Sequence, residues 1–261
     1  MSQTPPLGFP IVRNEVALRA PIDWLRSGWA DLRANPAASL FYGLCFAVIG
    51  WVFVLAFRHA IQLVTAVTAG FILAGPFLCI GLYALSRQRE RGQVLRIGPT
   101  LTAWRSKGST IGIYSAVLII IYLIWARASM VVFALFYSGG MPSLDGFITE
   151  VSNFENLDFV LSYFAVGGLF VVLVFAISVI SIPLMLERDQ DAVTAIIASV
   201  LTLTRNPAPL LFWGALIVAL IGIGIGTAFL GLIITGPWVG HASWHAFRAL
   251  IEPCPSIGDS V

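Results

Sequence analysis

From Ala208 to Phe247 the chain runs 40 residues without an Asp, Glu, Lys or Arg. A water-exposed fold has no way to solvate such a stretch, whereas a bilayer requires one. As a single helix it would measure about 60 Å, roughly twice the hydrocarbon thickness. Gly222, Gly224 and Gly226 sit near its middle, where glycine weakens a helix and permits a turn. Two spans are therefore predicted, about 208–225 and 229–247, with one long kinked helix as the alternative.

Four further apolar runs are long enough to cross: about 39–57, 61–86, 111–137 and 159–186. Only the third is interrupted by a charge, at Arg127. Charged residues make up 11% of the chain, against about 25% in soluble domains. The class is an all-α membrane protein of six transmembrane helices. A net charge of +2 is too small for a nucleic-acid partner, which calls for a dense basic patch. The three cysteines, Cys45, Cys79 and Cys254, form no disulfide framework, so the lipid bilayer is the first partner the sequence implies.

The basic residues set the expected orientation. Arg13, Arg19, Arg26 and Arg33 precede the first span; six more, from Arg87 to Lys107, follow the second. Arg188 and Arg205 follow the fourth, and Arg248 follows the last. Of the 15 basic residues, 13 fall on one side, which is predicted to be cytoplasmic and to hold both termini. The opposite side receives Arg58 and the acidic loop Ser138–Asp158. The N-terminus lacks the signature of a cleaved signal peptide, so the first span is expected to remain as an anchor. Residues 1–19 and 251–261 read as tails around one membrane domain, 20–250.

The last hairpin echoes the first. Asn35-Pro36 recurs as Asn206-Pro207, and Leu40-Phe41-Tyr42-Gly43 as Leu211-Phe212-Trp213-Gly214. Gly75-Pro76 recurs as Gly236-Pro237, and Arg87 as Arg248, with ten residues fewer between. Pro183 stands at the corresponding place in a fainter middle copy. The layout predicted is three pseudo-repeated hairpins, each preceded by a short amphipathic interfacial helix. The three preceding segments are 21–33 (apolar face Ile22, Leu25, Trp29, Leu32), 99–107 (Leu101, Trp104) and 191–204 (Val193, Ile196, Val200, Leu203).

Few residues in the spans carry chemistry. Arg127 lies about 24 Å into span three; an intramembrane arginine is by default a functional-site candidate. Its readings are a snorkelling or ion-paired arginine, with Glu155 or Asp158 as partner, a site for an anionic solute or lipid headgroup, or a contact with another subunit. His241 and His245, spaced i, i+4, share one helix face. With Cys45 and Cys79 they outline a conceivable metal cluster, but no HExxH and no carboxylate accompanies them. Interhelical hydrogen bonds are the ordinary use of such histidines, and neither metal nor cofactor is expected. The GxxxG spacings Gly108–Gly112, Gly222–Gly226 and Gly236–Gly240 point to close helix packing. Pro76, Pro183 and Pro237 are expected to kink their helices. No Ser/His/Asp set or pair of catalytic carboxylates falls in one compartment, so no catalytic residue is assigned.

Several motifs match those of a known family. They are Trp24-Leu-Arg-Ser-Gly28-Trp29-Ala-Asp31-Leu, Pro36 and Ser39-Leu-Phe-Tyr-Gly43, then Gly75-Pro76, Gly81-Leu-Tyr83, Trp125-Ala-Arg127-Ala128, and finally Gly240-His241-Ala-Ser-Trp244-His245-Ala-Phe-Arg248. With these the chain resembles the bacterial integral membrane proteins grouped as domain of unknown function 2189. The resemblance implies a bacterial inner-membrane location without assigning a mechanism. Names carried by some members imply a link to cytochrome c oxidase, hence a respiratory complex. Two functions are carried forward: a non-enzymatic accessory or assembly component among other membrane subunits, and a small transporter or channel for an anionic or lipidic solute.

Overall fold

The computed structural model describes residues 9–59, 64–136, 157–188 and 190–252. Among them it forms ten α-helices: α1 (Ala20–Ala34), α2 (Pro36–His59), α3 (Val64–Glu90), α4 (Ile97–Leu101), α5 (Gly108–Phe136), α6 (Leu157–Ser178), α7 (Ser181–Arg188), α8 (Ala192–Arg205), α9 (Pro207–Gly226) and α10 (Leu232–Leu250). A 3₁₀ turn, Arg105–Lys107, joins α4 to α5. Four segments are long and apolar enough to cross a bilayer: Pro36–Ala56, Ile97–Phe136, Leu157–Arg188 and Pro207–Gly226. The 19-residue α10 has spanning length but carries His241, His245 and Arg248.

The charge-free stretch 208–247 is two helices, not one kinked rod. α9 runs through all three glycines, and the chain reverses after Thr227, with Ala228 and Phe229 at φ +54° and +67°. Non-glycine residues enter that left-handed region at a cost of about 1–2 kcal/mol each. Glycine at 224 is used for packing instead: a Cβ there would lie 2.5 Å from Leu232 Cδ2 and 2.7 Å from Thr235 Oγ1.

α10 is the hub. It packs against α1, α2, α3, α7 and α9, and its buried residues include Leu232, Thr235, Gly240, His241, Trp244 and Phe247. Two glycines bring neighbouring helices onto its backbone. A Cβ on Gly43 of α2 would stand 2.0 Å from the Ile233 carbonyl oxygen, and one on Gly28 of α1 would stand 2.6 Å from the Ala242 nitrogen. The first contact has a cause in sequence, because Pro237 has no N–H for the carbonyl four residues earlier, which is Ile233. Gly43 covers the carbonyl that the proline leaves without its helical partner.

Pro183 acts more strongly. Its ring conflicts with the carbonyl of Val179, and the helix breaks at Val179–Ile180 between α6 and α7. α8 repairs the break: Ser199 Oγ donates to the Ala176 carbonyl at 2.7 Å and accepts from Ile180 N at 3.4 Å. Ser181 Oγ donates to Ile177 O at 2.6 Å and lies 3.1 Å from Ala195 O. Irregular backbone at this depth is tolerated where protein covers it.

Two of the amphipathic segments form helices, α1 and α8. α8 buries Ala192, Ala195, Ala198, Ser199 and Thr202, while Val193 and Ile197 are more than half exposed. α1 buries Pro21, Trp24, Gly28, Asp31 and Leu32 and leaves Ile22 exposed. Next to lipid the apolar face need not be the protein-facing one; small and polar residues make the helix contacts. The expected helix over 99–107 is only the short α4 and the 3₁₀ turn.

The two Asn-Pro junctions have matching backbones. Asn35 ends α1 at φ −143°, ψ 75°, and Asn206 ends α8 at φ −130°, ψ 55°. Asn206 also ties down the N-terminal strap: its Oδ1 accepts from Val16 N at 3.0 Å, and its Nδ2 donates to Arg13 O at 2.8 Å. Val12 forms an antiparallel bridge with Ile251. The strap and the C-terminal end of α10 thus meet at the same end of the bundle.

Candidate functional site

Polar side chains from α1, α2, α3, α7 and α10 converge where the basic residues gather. His241 is its innermost member, 1% exposed. Its Nε2 lies 2.9 Å from Ser39 Oγ of α2, and its Nδ1 lies 2.8 Å from Ser86 Oγ of α3. A neutral imidazole offers one N–H and one lone pair, so one serine accepts and the other donates. Both nitrogens are satisfied. The crevice beside them, bounded by Asp31, Asn35 and Arg89, leaves no room for a water molecule.

One turn along α10, His245 Nε2 sits 2.9 Å from Asp31 Oδ2. The other carboxylate oxygen of Asp31 accepts from Arg89 Nη1 at 2.5 Å. Asp31 is 6% exposed. Burial is the largest influence on its carboxyl and pushes the pKa up, but hydrogen bonds with His245 and Ser86 and the charge of His245 outweigh it, so the group titrates below its ordinary value.

Farther out, Glu90 accepts from Trp244 Nε1 at 3.0 Å and from Arg248 Nε at 2.8 Å. Glu187 at the end of α7 accepts from Arg91 Nη2 at 3.0 Å, and Arg87 and Arg248 approach it at 3.6 Å and 3.9 Å. Three carboxylates are thereby shared among four arginines and a histidine. The exposed pairs contribute little individually; the arrangement fixes which helix ends meet.

The predicted histidines do lie together, each bridging helices. They do not gather with Cys45 and Cys79: among the described residues no three His, Cys, Asp or Glu side chains are grouped to hold a metal. Arg127 lies apart on α5, exposed. Among the described residues its side chain forms no hydrogen bond or ion pair, and Asp158, at the start of α6, does not meet it; Glu155 lies outside the described residues. The partners Asp31, Ser39 and Ser86 escaped sequence reasoning. Their one signal is position, polar residues on the same flank of two apolar runs as the basic clusters.

An all-helical chain with several bilayer-length apolar helices and an ionic cluster at one end defines an integral membrane protein. Residues 63–187 match the model of the family DUF2189, described as a predicted integral membrane protein, which is the family the motifs resemble. The matched segment includes Gly75-Pro76, Gly81-Leu-Tyr83 and Trp125-Ala-Arg127-Ala128, while the motifs at 24–43 and 240–248 fall outside it. Comparison with curated proteins and with solved structures finds no match.

Because the Asp31 pKa is lowered on folding, its contribution is complete above the ordinary value of 3.8 and is lost as pH falls through the lower native value. In detergent, Asp31→Asn should cost about 1–2 kcal/mol at neutral pH. Its thermal stability should also depend less steeply on pH below about 4 than that of the wild type. Parallel pH profiles would remove Asp31 from the network.

Proposed function

We propose that the chain is a non-enzymatic accessory or assembly component of a larger complex in the bacterial inner membrane. The observation that carries this reading is how the bundle uses its glycines. Gly28, Gly43, Gly81 and Gly240 serve contacts inside the chain, whereas Gly112 on α5, Gly167 and Gly168 on α6, and Gly222 and Gly226 on α9 face open space. Small residues on outward faces let another helix approach closely. The histidine network, with both nitrogens of His241 occupied and no water-sized space beside them, fits a scaffold better than a reaction centre.

The transporter reading rests on the repeat, on Arg127 and on backbone freed by the prolines, and the repeat suits either role. Arg127 is on an exposed face, Gly43 packs at the Ile233 carbonyl that Pro237 leaves free, and Ser199 bonds Ala176 O and Ile180 N at the break before Pro183. These observations favour the accessory role.

Six crossings, α2, α3, α5, α6, α9 and α10, pair into three hairpins in this reading. The matching Asn35 and Asn206 junctions support a repeat of the first hairpin in the last. The basic end faces the cytoplasm with both termini, in keeping with the positive-inside rule. A single cysteine introduced between residues 138 and 158 should react with an impermeant reagent from the periplasm, and one near residue 255 should not; the reverse pattern would invert the topology.

Mild-detergent purification of the tagged protein, followed by mass spectrometry, should recover stoichiometric membrane subunits. Gly168→Leu should release them without lowering the thermal midpoint of the isolated chain. Purification of the chain alone under the same conditions would overturn the accessory reading.

A further inference from the structure

A cleft of about 480 Å³ opens between the C-terminal end of α3 and the loop carrying α4 and the 3₁₀ turn. Arg87, Arg91 and Arg105 line it with Gln88, Thr102 and Ser106, and among the described residues no carboxylate does. We propose that this cleft binds a phosphate-bearing anion, in the form of an anionic lipid headgroup or a soluble phosphate.

The charge balance is the first reason. Arg87 near the end of α3 and Arg91 just past it stand one turn apart, with Arg91 N bonded to Arg87 O at 3.1 Å, so both project to the same side. Glu187, the carboxylate that Arg87 and Arg91 meet among the described residues, is divided among Arg87, Arg91 and Arg248 at 3.6, 3.0 and 3.9 Å. Three guanidiniums bring five N–H groups each, so one carboxylate leaves most of them free for another acceptor. The side chain of Arg105, on the opposite wall, forms no hydrogen bond or ion pair among the described residues. Planar guanidiniums converging from two walls suit the oxygens of a phosphate better than a single carboxylate.

The second reason is that the cleft is built rather than left over from a loose loop. Gln88 holds the connection after α3 through both ends of its amide, accepting from Arg96 N at 2.9 Å and donating to Arg96 O at 3.3 Å. Trp104 stacks edge-on against Phe77 of α3 with centroids 5.4 Å apart, and Tyr42 of α2 hydrogen-bonds Thr100 at 2.8 Å. These contacts fix the wall that carries Arg105.

The third reason concerns the setting. Val94, Leu101 and Trp104 are exposed apolar residues on the connection that forms the rim. An apolar rim beside a cationic pocket at the end of a membrane helix matches both halves of a phospholipid.

The test uses the full chain in nanodiscs containing phosphatidylglycerol and phosphatidylcholine, with bound lipid read by native mass spectrometry. A parallel calorimetric titration uses inorganic phosphate. The wild type should retain phosphatidylglycerol preferentially, and Arg105→Gln should weaken retention about fivefold, the scale of one basic residue at an anionic surface. Its melting midpoint should stay unchanged, because the Arg105 side chain holds no hydrogen bond or ion pair among the described residues. Arg26→Gln removes the same charge outside the cleft and should retain lipid like the wild type. Lipid retention unaffected by millimolar phosphate identifies a headgroup; phosphate binding that Arg105→Gln weakens identifies a soluble anion. Neither lipid preference nor phosphate binding in the wild type would overturn the proposal, and so would equal losses in Arg105→Gln and Arg26→Gln.

Discussion

Inside a helix bundle a histidine is expensive unless both ring nitrogens find partners, and His241 finds them on two different helices. Ser39 of α2 and Ser86 of α3 bond its two nitrogens, so three helices share one polar node with no water to compete. A buried polar group left unmatched costs about 1–3 kcal/mol. Rotating α10, or sliding it by a turn, would leave three such groups unmatched at once. The node therefore specifies register more than it adds stability. His245 repeats the device one turn farther out, where Asp31 and Arg89 join α1 and α3 to the same helix.

Around that node the packing follows from where proline removes a donor. Pro237 deprives the Ile233 carbonyl of its helical partner, and Gly43 lets α2 come against that atom. Pro183 breaks the helix at Val179, and Ser199 from α8 takes up the freed groups at the break. In lipid there is no water to do this, so a proline in one helix demands a glycine or serine in another. α10 can carry His241, Thr235 and Trp244 along its buried face because other helices pack around it.

The apolar runs in the sequence locate the long helices, and the length of 208–247 pointed to a turn, although the three glycines expected to form it lie within α9. Helix ends were legible at Asn35-Pro36 and Asn206-Pro207, where proline marks the next first turn. The i, i+4 spacing of His241 and His245 correctly put both on one interhelical face. Their partners were not legible, because Ser39 and Ser86 stand 202 and 155 residues away and nothing local sets two serines apart from others. The amphipathic patterns of 21–33 and 191–204 marked α1 and α8, but not the small and polar residues, such as Gly28, Asp31, Ala195 and Ser199, that these helices bury. Arg127 drew attention because a charge within a span is costly, yet the structure leaves it on an exposed face. The cleft arginines were visible only as topology signals, since their convergence depends on the loop fold after α3.

The register account is tested most directly by a double-mutant cycle on the innermost contact, with Ser39→Ala and His241→Phe made singly and together and unfolding free energies measured in detergent. A shared node predicts coupling of roughly 1 kcal/mol or more, because each single variant leaves the other partner unmatched and the double does not. Losses that add to within about 0.5 kcal/mol would mean that the two side chains do not act on each other, and that something other than His241 sets how α2 and α10 meet.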